Sequence, residues 1–190
     1  MKRIRPALIE IFAPLPALAH PGGLDAHGVA AGCLHPLGGW DHTAALLAVG
    51  LFAGLSGGRA RWLLPAGFLA GIALGGLLGV GQVPFPAIEA AILASIIVLG
   101  SLVASAVPMA LGLAVPLVTG FGLVHGHAHG MEASTGGLSF VVGFVFSTLR
   151  LHATGLLLAA TPHRCRAVRL AGDGGAMLAS VMAVLALMPL

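Results

Sequence analysis

From residue 37 onward the chain is a succession of apolar runs broken by short polar or glycine-rich segments. Apolar and polar positions do not alternate as they would along strands with one wet face, and a transmembrane barrel is not indicated. The pattern predicts membrane-spanning helices near 37–56, 62–81, 86–105, 108–125, 137–160 and 170–188. Each is close to the roughly 20 residues that cross a hydrocarbon core, the fourth being the shortest. The stretch 20–36 is polar and glycine-rich and reads as a connection.

The first 19 residues follow a different rule. Lys2, Arg3 and Arg5 precede an apolar stretch that closes on Ala17-Leu18-Ala19, the small-x-small pattern of a signal-peptidase site. That stretch is too short to span, and Glu10 and three prolines weaken it as a helix. The expected fold is therefore all-α: a cleavable signal peptide at 1–19, then one polytopic domain of six transmembrane helices at 20–190. Cleavage after Ala19 would leave His20 as the new terminus, whose amine and imidazole together can chelate a transition metal. An uncleaved first helix is the alternative.

Composition supports this reading. The chain is 58% hydrophobic and 8% charged, with a mean hydropathy of +1.03, whereas soluble domains carry about 25% charged residues. The placement of basic residues sets an orientation. Arg59 and Arg61 fall between the first and second spans, and Arg164, Arg166 and Arg169 between the fifth and sixth. The loops on the other side, near 82–85 and 126–136, carry no Lys or Arg. An outside N-terminus puts both arginine loops in the cytoplasm, as the positive-inside rule requires. The third cytoplasmic turn is the tight 105–108, where Pro108 suits the first turn of the next helix. Cys33 and Cys165 then lie on opposite sides and cannot pair. No basic stripe suggests nucleic acid.

Glycine recurs every four residues at Gly67, Gly71, Gly75 and Gly79, and again at Gly50, Gly54 and Gly58. Such stripes let helix backbones approach closely in lipid. A phosphate-binding glycine loop would need a Walker pattern, which is missing, so no built-in ATPase is expected.

Histidine is the unusual polar residue, nine against six acidic residues. The segment "HPLGGWDH" carries His35, Asp41 and His42. With Pro36 starting the helix, His35 lies at its mouth and His42 about two turns in, roughly 10 Å away. One ion could join them only if Gly38-Gly39 bends the chain; otherwise they serve successive steps. Asp41 either orients His42 or pairs with it as a helix cap. The segment "HGHAHGMEAST" carries His125, His127, His129 and Glu132 on the same side. In a helix His125 and His129 share a face; in an extended chain all three do. Imidazole and carboxylate suit Ni²⁺, Co²⁺, Cu²⁺ and Zn²⁺, and affinity alone does not choose among them. Inside the fifth span, Arg150 and His152 are ionisable, and His152 either continues the route or bonds a neighbouring helix. Glu89 lines the path or sits at the interface. His27 and His163 carry little weight.

These stretches, with "GFVFSTLRLHATG" and the "HPGG" after the signal, resemble the HupE/UreJ family of bacterial membrane proteins, nearly end to end. His35, Asp41 and His42 are also similar to the shorter-spaced signature of nickel/cobalt permeases. Where the family's first span often continues into a Leu-Ala-Met-type run, this chain reads "TAALLAVG", without methionine. The resemblance implies a six-helix inner-membrane protein tied to nickel supply, with His35, Asp41, His42, His125, His127, His129, Glu132 and, less directly, His152 as metal ligands. It also implies hydrogenase or urease maturation proteins as partners, beside the lipid bilayer and the metal ion itself.

The sequence thus points to a Ni²⁺ permease, with Co²⁺ second, and not to an enzyme. A metal-binding accessory protein that stores or hands over the ion is the alternative. A haem-binding electron carrier ranks lower, because most of the histidines lie at one membrane face. A hydrolase lacks a convincing nucleophile.

Overall fold

The computed structural model describes residues 28–106, 108–132 and 137–160. They form six helices: α1 (Val29–Gly38), α2 (Trp40–Ser56), α3 (Ala60–Val80), α4 (Ile88–Ser105), α5 (Leu111–Glu132) and α6 (Gly137–Ala159). Four of these, α3 to α6, are long and apolar enough to cross a membrane. At 17 residues α2 spans about 25 Å, a little under the hydrocarbon thickness. The expected signal peptide, His20, His27, the arginines at 164, 166 and 169, and the sixth span at 170–188 lie outside the described residues.

α2 to α6 match the first five expected spans, with four differences. The stretch read as a connection contains most of α1, a ten-residue helix that Gly32 seats on α6. Pro36 does not start the spanning helix. It lies in the last turn of α1, and the chain breaks at Gly39, which is extended (φ −115°, ψ 124°), before restarting at Trp40. The fourth span is not the shortest: α5 runs on through the histidines to 22 residues. Pro108 lies ahead of α5 in the connection after α4, not in its first turn.

Glycine explains how the helices pair. α3 and α5 run in the same direction and share a seam. A Cβ at Gly71, Gly75 or Gly79 would strike the backbone of α5, and one at Gly122, Gly126 or Gly130 the backbone of α3. Lipid offers no hydrophobic drive between helices, so van der Waals contact across such a seam is what holds them. This packing also keeps α5 helical through a glycine-rich segment of low intrinsic propensity. α2 and α6 form a second such pair through Gly50, Gly54 and Gly155. Gly58 does not join its stripe. It and Gly57 have positive φ (49° and 70°) and make the turn into α3.

Large apolar side chains, among them Leu74, Leu77, Leu113, Val142 and Leu157, stay exposed on the outer faces, as a lipid-facing surface requires. Trp40 is 65% exposed and Trp62 77%. They stand at opposite ends of the bundle, where indoles favour the membrane–water interface. Arg59 and Arg61 share the Trp62 end. The α1–α2 break shares the Trp40 end with the last turns of α3 and α5 and the first turns of α4 and α6.

Candidate metal centre

The break at Gly39 answers the spacing problem posed by His35 and His42. His35 leaves the last turn of α1, His42 the first turn of α2, and both meet His129 of α5. His35 Nε2 lies 2.8 Å from His129 Nδ1, a hydrogen bond between rings whose centroids are 4.7 Å apart. The His42 ring is 4.5 Å from that of His129 and 5.0 Å from that of His125. His125 and His129, one turn apart, share a face of α5, the helical alternative of the two that the spacing allowed. Phe140 and Phe144 of α6 close one side, with Phe144 4.9 Å from His129 and Phe140 5.3 Å from His35.

Two contacts fix ring orientations, and a third ties the two helices together. Asp41 Oδ1 accepts from the backbone N–H of His42 and from its Nδ1–H, both at 2.9 Å. That bond places the lone pair of His42 on Nε2, which is buried and has no hydrogen-bond partner. A carboxylate behind an imidazole whose other nitrogen is open is the usual arrangement around a metal-binding histidine. On α4, the Ser95 hydroxyl donates to the Ile92 carbonyl at 2.6 Å, so its oxygen accepts from His125 Nε2–H at 2.9 Å. This assigns the lone pair of His125 to Nδ1. The Thr43 hydroxyl donates to the Pro36 carbonyl at 2.7 Å, tying α2 back to α1 across the break.

Gly39 is needed for the room it leaves. A Cβ there would lie 2.5 Å from Asp41 Oδ1 and 3.2 Å from His42 Nδ1, whereas one at Gly38 would meet nothing within 4 Å. Gly39→Ala is therefore expected to weaken metal binding about tenfold, the scale set by losing the partner that orients a ligand. Gly38→Ala should leave binding unchanged. Isothermal titration of the two purified variants checks this; equal losses would mean that flexibility at the break matters and the space beside the pair does not.

The remaining expected ligands are placed elsewhere. His127 points to the other side of α5, where its Nε2–H donates to the Val83 carbonyl at 2.7 Å and its ring lies 5.4 Å from Phe85. It holds the α3–α4 connection and does not reach the cluster. Glu132 ends α5, and its side chain lies outside the described set. His152 is buried in α6, farther along the bundle. Arg150 is exposed on α6 with its guanidinium 5.7 Å from the Phe146 ring, and Glu89 is exposed in the first turn of α4. Cys33 is half-buried on α1 and unpaired.

Among the described residues, no three His, Cys, Asp or Glu side chains stand as a finished ligand cage. The His35–His129 bond shows one reason. In that bond the lone pair of one ring points at the N–H of the other, so the two nitrogens cannot both face one ion until it breaks. The donors fit a borderline transition metal in kind: Nε2 of His42 is open and the lone pair of His125 is on Nδ1, whereas His35 and His129 must give up their mutual bond to join.

Ser95, Thr43 and Thr148 received no role from the sequence. Buried hydroxyls in apolar spans mostly find a partner, and that signal was there for Ser95.

A model of the HupE / UreJ protein family matches residues 8–185. Protein HupE of Rhizobium leguminosarum bv. viciae is 40% identical over 148 residues, which cover 76% of this chain and 78% of that protein. No solved structure matches.

Proposed function

The chain belongs to the HupE/UreJ family, and from that premise we propose that it is a permease of the bacterial inner membrane for Ni²⁺, with Co²⁺ second. The ion is its cargo, destined for hydrogenase or urease maturation. The observation that carries the reading is His42: backed by Asp41 on one nitrogen, buried and open on the other, and facing two further histidines. In the orientation proposed, the Trp40 end faces the periplasm, together with the start of the mature chain.

The chemistry follows from the tautomers. A hydrated ion exchanges one water for His42 Nε2. It then competes for the His35–His129 pair, which opens to supply further nitrogens. His125, its N–H held by Ser95, presents Nδ1 next. When the ion leaves, His35 and His129 regain their mutual hydrogen bond, which favours release and keeps capture reversible, as permeation requires. Uptake needs no ATPase, because an inside-negative potential favours a divalent cation by about 4.6 kcal/mol per 100 mV.

The test is uptake of radioactive nickel by proteoliposomes holding the full-length protein under a potassium-diffusion potential. Uptake should exceed that of empty vesicles, grow with the potential and fall when Co²⁺ competes, while Mg²⁺ should compete poorly because it prefers oxygen ligands. Tight binding without uptake would replace the permease by an accessory protein that stores or hands over metal.

A further inference from the structure

α6 carries a second pair of polar groups that the outer cluster does not use. His152 is 1% exposed and neither ring nitrogen has a hydrogen-bond partner. Thr148, one turn earlier on the same face, is 0% exposed and its hydroxyl has no partner either. Both observations are unusual. A neutral imidazole has one N–H to give and one lone pair to fill, and buried polar groups in folded proteins are almost always paired. Hydroxyls inside helices commonly turn back to a carbonyl of the preceding turn. Ser101, Ser105 and Thr154 do so here, at 2.7, 2.7 and 2.8 Å, whereas Thr148 does not.

The position of the pair suggests what it is for. His152 lies about two thirds of the way along α6 from the histidine-cluster end. Its ring is 5.5 Å from that of Phe68, which also lies 5.7 Å from the ring of His125. One aromatic ring thus separates the deepest histidine of the outer cluster from two unsatisfied groups farther in. Gly50 of α2 packs on the His152 backbone, so the helix is pinned there with its polar side chains unspent.

We propose that His152 and Thr148 form an inner station for the transported ion, distinct from the outer cluster. One imidazole nitrogen and one hydroxyl oxygen leave most of the coordination sphere to water, which makes the station a place of brief residence and not a trap. The station rests on the permease reading for its purpose, but its existence is tested without transport.

Zn²⁺ is a suitable probe because it is diamagnetic and binds imidazole. The full-length protein, labelled with ¹⁵N-histidine and held in micelles, is titrated with Zn²⁺. The His152 ring signals are those lost in His152→Leu. They should move to the metal-bound position once the outer cluster is filled. Thr148→Val should raise the Zn²⁺ needed for half of that change about tenfold, and Thr148→Ser should restore it, while the His42 response stays as in the parent throughout. A His152 ring that does not move at Zn²⁺ concentrations saturating His42 overturns the station, as does a Thr148→Val variant titrating like the parent. Water alone on these groups would give the first of those results. A Zn²⁺-bound His152 in a protein that takes up no nickel would leave the station standing and remove the permease.

Discussion

His129→Ala is expected to bring nickel uptake in proteoliposomes down to the level of empty vesicles, a loss of a hundredfold or more. His129 is the ring on which the two halves of the broken α1–α2 segment converge, 4.7 Å from His35 and 4.5 Å from His42. Removing it leaves those histidines without a common partner and opens a gap beside Phe144. Loss of even an orienting partner of a ligand costs about 10–100-fold in affinity, and loss of the shared ligand should cost at least that. The matching control is His127→Ala, two residues away. Its ring serves the Val83 carbonyl, so uptake should stay within about twofold of the parent while stability drops by roughly 1 kcal/mol, the scale of one buried hydrogen bond. Equal losses of uptake in the two variants would refute this division of α5 into a binding face and a structural face.

The second large effect is on the fold. Gly75→Ala adds one methyl group, yet its Cβ would fall on the Leu123 carbonyl oxygen and 2.8 Å from the His127 nitrogen. Those are backbone atoms, and no rotamer change relieves them. α3 and α5 must part, at a cost of about 1–3 kcal/mol or more for overpacking. Gly126→Ala strikes the Ile72 backbone from the other side and should behave alike. Gly120→Ala meets nothing within 4 Å and should be neutral or stabilising by up to about 1 kcal/mol, since alanine is the better helix former. Thermal unfolding of detergent-solubilised protein, followed by circular dichroism, distinguishes them. Similar midpoints for Gly75→Ala and Gly120→Ala would show that the seam is looser than its contacts imply.

These two cases mark how far the sequence could be read. The seam was legible, because glycines every fourth residue from Gly67 to Gly79 have one common explanation in an apolar helix. The partner was not, since nothing local says that α3 meets α5 and not its neighbour α4. The histidines were legible as chemistry, and their grouping at one end followed from the order of the spans. Their division was not. "HGHAHGME" reads equally well as a loop in which His125, His127 and His129 act together, and only the packing of Gly122, Gly126 and Gly130 on α3 keeps it helical and turns His127 away. Similarly, "HPLGG" suggested both a helix start and a bend. The bend was correct, but the start lies at Trp40, because Pro36 belongs to a ten-residue helix too short to stand out as a separate span in a hydropathy trace. Ser95 and Thr148 are hydroxyls among many in the chain, and their importance lies in which neighbours they meet or lack.

The seams have a genetic consequence. Every single-nucleotide change that turns a glycine codon into another residue adds at least a Cβ, and several add a charge. At Gly71, Gly75, Gly79, Gly126 and Gly130 the added atom meets backbone, and a charge would in addition be buried in a lipid-embedded helix pair. The sites that hold this protein together are therefore those where its gene can drift least. Substitutions should accumulate instead on the outward apolar faces, where one aliphatic side chain serves the bilayer as well as another.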